Sequence, residues 1–371
     1  MIKNNVMGIV FTNSNDELLP HFTKKRSMAS VPFGGRYRLI DFALSNLVNA
    51  GITKVGVITK SNYNSLLDHI GSGISWDLDR KNGGLFLLPP FSTSKAGFYT
   101  DKIDALAGIM TFLKRSREDY VVLSDSDIVS NIDIDKIISA HKKSGAGITV
   151  AYKNGRLDAQ ERKTLILSID ENNNVTGFDN EKPSDIYNYG IDLYVINRTL
   201  LIDIISVASK YNTDNPTKQL LQKEIGEFKV MGFKVEDYAE IIFSKERYAE
   251  ITMDLLNSET RAKLFNKSRP VYTKTRDDMP TRYGVEAKTE NSLIAGGCVI
   301  EGNVTDSVIF RGVAIGKKTT VKNSIIMQGA KIGKNCNLEN VIIDKAAVIS
   351  DGMTLIGQKE NYIYIEKEKV I

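Results

Sequence analysis

Three polar residues that could bind a cation follow a predicted buried strand. Asp125, Ser126 and Asp127 follow the apolar segment Tyr120–Leu123, with Ser124 between them. Two carboxylates at this spacing can hold a divalent cation. The alternative is that they only form a turn before the next helix. Because ligands bind where the carboxyl ends of parallel strands meet, the segment is a candidate metal site.

A second polar segment, Asn13–Glu17, follows the strand predicted for Val6–Phe11. Phosphate-binding α/β proteins often have a glycine-rich loop here, because backbone N–H groups must approach the phosphates closely. This loop contains no glycine, and Asp16 and Glu17 add two negative charges. The segment Gly312–Lys317 looks like a phosphate loop, but it has one residue too few between its glycines, and no Ser or Thr follows the lysine.

Strands and helices alternate through the first 200 residues, which predicts a mostly parallel sheet with helices on both faces. An apolar stripe predicts a helix that ends at Gly51, and Ser61 is a candidate N-cap for a helix through His69. The other predicted strands are Lys54–Thr59, Ile148–Tyr152, Asn174–Phe178, Tyr189–Ile196 and one or two within Lys229–Ile242. The other predicted helices are Asp104–Leu113, Asp133–Lys143, Thr199–Ser209 and Lys245–Leu256.

The C-terminal part of the chain repeats with a period of 17 residues. The segments Ser307–Asn323, Ser324–Asn340 and Val341–Gly357 align, with aliphatic residues spaced six, six and five positions apart. This spacing, often followed by glycine, is typical of hexapeptide repeats, whose short strands stack into a left-handed parallel β-helix. The repeat also accounts for the glycines of Gly312–Lys317.

The length of 371 residues agrees with two domains, which we place at residues 1–266 and 289–371 with a linker at 267–288. The net charge of +4 gives no indication of a nucleic-acid partner. Two cysteines, Cys298 and Cys336, imply no disulfide framework and fit a reducing compartment. Without a signal-peptide core or an apolar run near the ~20 residues of a membrane span, we expect a cytoplasmic protein with no membrane partner.

The segment Val31–Asn46, with the sequence VPFGGRYRLIDFALSN, resembles the ADP-glucose pyrophosphorylase (glucose-1-phosphate adenylyltransferase) family. Val48–Ile52, Ser75–Leu78 and Glu181–Pro183 extend the resemblance, which covers essentially the whole chain. It implies an α/β fold: a Rossmann-like nucleotidyltransferase (GT-A-like) domain with a mostly parallel mixed sheet, then the β-helix. Active members join glucose 1-phosphate to ATP and release pyrophosphate.

The resemblance also implies that the catalytic groups of the family are replaced here. The family's glycine loop, loop arginine, phosphate-binding lysine and two metal-binding aspartates correspond to Asn13, Leu18, Met28, Ser126 and Ile241. A further segment of the family, GTADA, corresponds to Asp101–Ala105, where this chain has the sequence DKIDA. We therefore expect no catalytic residues and no bound metal, with Asp125 and Asp127 as the remaining metal candidates.

Two sets of possible binding residues are retained. Glu181 and Lys182 match the family pair that contacts the sugar phosphate, and Tyr189 and Gly190 could line the same pocket; the alternative is an exposed charged loop. The basic residues Lys24, Lys25, Arg26, Arg36 and Arg38 match cations that, with the β-helix, help bind allosteric anions in the family. The alternative for this cluster is a solvated basic surface.

These features predict a catalytically degenerate, regulatory subunit of the GlgD type that pairs with a catalytic ADP-glucose pyrophosphorylase subunit, in a heterotetramer, for glycogen biosynthesis. We expect no tightly bound cofactor, Mg²⁺ in the partner's reaction, and a sugar phosphate or other anion as effector. The alternative is a weakly or independently active sugar-phosphate nucleotidyltransferase. A β-helix acyltransferase is rejected, because such enzymes use a histidine from a coil, whereas His21, His69 and His141 precede the repeats.

Overall fold

The N-terminal domain is built on a nine-stranded mixed sheet. The structure, a computed structural model, describes residues 5–13, 15–89, 102–157, 164–179, 186–208 and 228–371. The sheet consists of β1 (Val6–Phe11), β4 (Lys54–Ile58), β5 (Gly84–Leu88), β6 (Tyr120–Asp125), β8 (Ile148–Gly155), β9 (Ile166–Ile169), β10 (Val175–Asp179), β11 (Tyr187–Asn197) and β12 (Val230–Lys234). Short ribbons pair β2 (Pro32–Phe33) with β3 (Tyr37–Arg38), and β7 (Ile128–Ser130) with β13 (Ala239–Ile241).

The centre of the sheet is parallel and buried on both faces. β1 pairs in parallel with β4 and β6, β4 pairs in parallel with β5, and β11 runs antiparallel to β6. Along β1, Val6 and Val10 pack into one apolar cluster, whereas Met7 and Ile9 pack into the other. A strand covered on both faces must be apolar throughout, which is why Val6–Phe11 shows no alternation. The predicted strands of this domain are confirmed.

Helices cover the two faces, with two corrections to the predicted bounds. Within the described residues they are α1 (Pro20–Thr23), α2 (Leu39–Asn49), α3 (Asn64–Ile70), α4 (Lys102–Gly108), α5 (Met110–Arg115), α6 (Ile134–Ser144), α7 (Arg198–Ala208), α8 (Lys245–Met253) and α9 (Ser258–Leu264). The single helix predicted for 104–113 is wrong, because the chain breaks after Gly108, a poor helix former. Ser61 is not an N-cap, since Asn62 has a left-handed φ of 52° and the helix begins later. None of these helices is long and apolar enough to cross a bilayer.

The C-terminal domain is three five-stranded parallel sheets around one apolar core, which confirms the β-helix. The first sheet contains β14 (Arg282–Tyr283), β17 (Val299–Ile300), β20 (Ala314–Ile315), β23 (Lys331–Ile332) and β26 (Val348–Ile349). The second contains β15 (Lys288–Glu290), β18 (Asn303–Thr305), β21 (Thr320–Lys322), β24 (Asn337–Glu339) and β27 (Thr354–Ile356). The third contains β16 (Leu293–Ile294), β19 (Val308–Ile309), β22 (Ile325–Ile326), β25 (Val341–Ile343) and β28 (Ile363–Ile365).

The predicted register is the observed one. Ile309 pairs with Ile326, and Ile326 with Ile343, each one coil and 17 residues further along. The three side chains are fully buried and stack inside the prism. At the end of the last coil, the chain terminus adds a bridge between Val348 and Val370.

The two domains share an apolar cluster. Phe22, Phe33 and Tyr248 from the first domain pack with Phe310 and Met327 from the β-helix, and all five are at most 2% exposed. The segment that joins the domains is held against the first one. There the backbone N–H of Tyr272 donates to Ser45 Oγ at 2.9 Å, and Asn131 donates to the carbonyl of Arg269 at 2.8 Å.

Candidate functional site

The loop after β1 and the segment Asp125–Asp127 at the end of β6, which we call the acidic turn, lie at the same edge of the sheet. Phe11 is directly opposite Asp125 in the parallel ladder, so the two segments leave the sheet side by side. They also touch, because Asn15 Nδ2 donates to Asp127 Oδ2 at 2.6 Å. This carboxyl edge is where α/β sheets bind ligands.

The loop after β1 is closed by its own side chains. Asp16 Oδ1 accepts the backbone N–H of Met28 at 2.8 Å, and Asp16 Oδ2 accepts Asn13 Nδ2 at 2.5 Å. Asn13 Oδ1 in turn accepts the N–H of Lys60 at 3.1 Å. Burial raises the pKa of Asp16 to about 6, although these hydrogen bonds oppose the rise. The loop is therefore tied by a carboxylate to the backbone N–H of Met28.

The other residues that the resemblance places at catalytic positions are buried or half-buried. Met28 is 1% exposed and lies in the apolar cluster shared by the two domains. Ile241 is buried on β13, where it pairs with Ile128 of β7. Ser126 is buried, and Leu18 is half-buried in a short 3₁₀ turn. The resemblance assigns the metal-binding aspartates to the positions of Ser126 and Ile241. These residues offer a hydroxyl group and an aliphatic side chain in place of two carboxylates.

The acidic turn is held by a lysine that the sequence reasoning did not single out. Lys102 Nζ lies 2.8 Å from Asp125 Oδ2 and 3.0 Å from Asp192 Oδ1. Burial raises the pKa of Asp125 to about 7, because the nearby Asp192 and Asp127 add to this rise and Lys102 only partly offsets it. In the part of the chain that the structure describes, no three His, Cys, Asp or Glu residues are grouped to hold a metal ion. Because the Lys102 ammonium lies between Asp125 of this turn and Asp192 of β11, the arrangement does not fit a divalent cation.

The predicted sugar-phosphate residues are only partly placed. Glu181 and Lys182 lie outside the described residues. Tyr189 is half-buried on β11, its ring 6.1 Å from that of Tyr187, and burial raises its pKa. Gly190 is buried, and its N–H donates to the carbonyl of Leu165 at 2.8 Å.

The predicted basic cluster divides into two groups. Arg26, Arg36 and Arg38 line a cleft between the first domain and the β-helix. Lys24 and Lys25 lie outside that lining and form exposed ion pairs, at 3.3 Å with Glu366 and at 3.6 Å with Glu368. The cleft also receives cations from the linker and the β-helix: Lys274, Arg276, Arg311, Lys345 and Lys367. We call this set of side chains the cationic cleft.

Positive charge is crowded in the cationic cleft. Burial lowers the pKa of Arg38 to about 10, and Arg26 and Arg276 contribute in the same direction. Burial likewise lowers the pKa of Lys345, and Arg38 and Lys367 add to it. Asp68 is the one acidic residue among the described lining residues. Crowded cations with lowered pKa values favour an anionic ligand, and phosphate is the group that arginine forks bind well.

The chain was compared with known proteins. The Nucleotidyl transferase family model matches residues 17–236, and the GlmU-like, C-terminal hexapeptide model matches residues 278–362. The Glycogen biosynthesis protein GlgD of Bacillus subtilis (strain 168) is 32% identical over 324 residues, which is 87% of this chain and 84% of that protein. GlgD of Geobacillus stearothermophilus is 35% identical over 323 residues, covering 86% and 84%. Glucose-1-phosphate adenylyltransferase of Halalkalibacterium halodurans is 31% identical over 325 residues, covering 86% and 85%.

The two matching models follow the order of the two folded units, and the relatives are aligned across most of both chains. The chain therefore belongs to the nucleotidyl transferase family, in the group that contains GlgD and glucose-1-phosphate adenylyltransferase.

Proposed function

We propose that this chain is a regulatory subunit, with little or no activity of its own, that modulates an active glucose-1-phosphate adenylyltransferase subunit in glycogen biosynthesis. The observation that supports this most directly is the contrast between the carboxyl edge of the sheet and the cationic cleft. The carboxyl edge of the sheet is closed by Asp16 and Lys102, whereas the cationic cleft has arginines and lysines from both domains.

The cleft suggests how regulation would operate. An anionic effector, such as a sugar phosphate, would contact the first domain through Arg38 and the β-helix through Arg311 and Lys345. A ligand that bridges two domains favours the arrangement in which both contacts are made. A coupling of ~1–3 kcal/mol to a partner subunit would change its apparent affinity between about five- and 150-fold. We place the catalytic subunit beside this chain in a heterotetramer.

The test is the kinetics of a purified catalytic subunit with and without this chain, with ADP-glucose formation from ATP, glucose 1-phosphate and Mg²⁺ as readout. We expect the chain alone to form no ADP-glucose, and the mixture to differ from the catalytic subunit in kcat/KM or in its response to sugar phosphates. Identical kinetics with and without the chain would refute the proposal.

Two charge-removing variants make the test specific. Arg276→Gln removes one exposed cation of the cationic cleft and should weaken the effector response of the mixture. Lys331→Gln removes one exposed cation of strand β23, outside the cleft lining, and should leave that response unchanged. An equal loss in both variants would mean that overall charge, and not the cleft, is responsible.

An independently active nucleotidyltransferase is the second candidate, because relatives named glucose-1-phosphate adenylyltransferase reach 33% identity, close to the GlgD proteins. This alternative predicts ADP-glucose formation by the chain alone. Turnover that survives Asp125→Asn and Asp127→Asn would place such activity away from the acidic turn.

A further inference from the structure

The ammonium group of Lys102 is held between two carboxylates at the carboxyl edge of the sheet. Its Nζ contacts Asp125 at 2.8 Å and Asp192 at 3.0 Å, both within the range of a charge-assisted hydrogen bond. The Asp125 side chain is 1% exposed, and those of Lys102 and Asp192 are 22% and 17% exposed. Charges this poorly hydrated are stable only when they are paired.

The backbone of β11 is shaped to present one of these carboxylates. The ladder between β11 and β8 shifts register between Gly190 and Tyr194, and Asp192 within the shift has a left-handed φ of 53°. A bulge re-aims a side chain at some cost in regular pairing, and bulges are frequent beside functional sites. Tyr194 Oη completes the arrangement by donating to Asp192 Oδ1 at 3.1 Å.

One further contact is made by the Lys102 ammonium. The Phe11 ring centroid, at the end of β1, lies 5.8 Å from the Lys102 ammonium. Burial on its own lowers the pKa of Lys102, but Asp125 and Asp192 outweigh it, so the pKa lies above its usual value and the group stays charged. One positive charge thus faces two carboxylates, with Asp127 close by.

We propose that Lys102 is a built-in cation, which occupies the place between Asp125 and Asp192 where a divalent cation would otherwise bind. An ammonium can pair with both carboxylates without dissociating, so the sheet edge keeps its shape in the absence of metal. It cannot polarise a phosphoryl oxygen as a metal ion does. The inference concerns this chain alone and does not depend on the proposed regulatory role.

The test is Mn²⁺ binding to the purified full chain, followed by the electron paramagnetic resonance signal of free Mn²⁺. We expect Lys102→Ala to bind one Mn²⁺ at least about tenfold more tightly than the wild type. Adding Asp125→Asn to Lys102→Ala should remove that gain, and Mn²⁺ should raise the melting temperature of Lys102→Ala only.

Lys54→Ala is the matched control, because Lys54 is a half-buried lysine paired with Glu118 at 3.0 Å on the same sheet. It should bind Mn²⁺ no better than the wild type. A folded Lys102→Ala that binds Mn²⁺ no better than the wild type would overturn the proposal. If Lys102→Ala does not fold, Mn²⁺ binding to the wild type is the test. One-to-one Mn²⁺ binding that Asp125→Asn abolishes would refute the proposal, whereas the absence of such binding would support it.

Discussion

The guanidinium group of Arg26 is buried against the carboxylate of Asp344, and this ion pair joins the loop after α1 to the β-helix. The two side chains are 4% and 1% exposed, and Tyr364 Oη donates to the same carboxylate. Arg26 also lines the cationic cleft, so the pair lies at the boundary between an apolar interface and a polar one.

Removing one partner of this pair should be costly. We expect Asp344→Asn to lower the free energy of unfolding by about 3–5 kcal/mol, because it leaves a buried guanidinium without its counter-charge. Urea denaturation measures the change. Glu366→Gln, which removes the exposed partner of Lys24, should cost less than about 1 kcal/mol. Equal losses in the two variants would contradict the assignment of Arg26 to a buried pair.

Asp16 should make stability depend on pH. Its pKa is about 6 in the folded chain and its ordinary value is 3.8, so the folded state binds the proton more tightly than the unfolded state. The free energy of unfolding should therefore fall as pH rises through this interval, and the two pKa values bound the loss at about 3 kcal/mol. The measurement is urea denaturation across the interval, with Asp16→Asn as reference. Parallel pH profiles for the two proteins would show that Asp16 does not titrate in this way.

Restoring the lysine of active relatives should destabilise this chain. Met28 packs with Leu19 and Phe22 in the cluster shared by the domains, so Met28→Lys would bring an ammonium into an apolar site. We expect a loss of several kcal/mol, against less than about 1.5 kcal/mol for the volume-conserving Met28→Leu. Thermal denaturation compares the two. A Met28→Lys chain as stable as the wild type would mean that the ammonium reaches solvent.

Two glycines of the β-helix should respond differently to alanine. A Cβ on Gly316 would lie 2.6 Å from the carbonyl oxygen of Gly333 in the next coil, whereas a Cβ on Gly312 would meet nothing within 4 Å. Gly316→Ala should cost at least about 2 kcal/mol, since backbone atoms must move. Gly312→Ala should cost about 1 kcal/mol, through its left-handed φ of 66° alone. Denaturation curves of the two variants show which substitution costs more stability. A larger loss for Gly312→Ala would mean that backbone strain outweighs the contact between coils.

Patterns with a fixed period were predictable from the sequence. The spacing of Ile309, Ile326 and Ile343 gives the coil length directly, because each coil must repeat the same inward position. The apolar runs of β1 and β6 likewise predict two parallel strands, so that the loop after β1 and the acidic turn lie at the carboxyl edge of the sheet. The strands β5 and β9 were not predicted, although the sequence of β5 is apolar.

Contacts between distant segments were the part that sequence could not supply. Asp192 contacts Lys102 from within the register shift of β11, and the composition of that strand does not predict such a shift. Arg311 and Lys345 join the cationic cleft because the β-helix packs against the first domain. The Asp101–Ala105 segment shows Lys102 where the family segment GTADA has a threonine, but the two partners of Lys102 could be identified only in the structure.

The bridge between Val348 and Val370 covers one strand edge of the β-helix. With the terminal segment paired to β26, one of the three strand edges of the last described coil is already bonded. Because open strand edges promote pairing with other chains, the pairing of residues 369–371 with β26 covers an edge that this strand would otherwise expose.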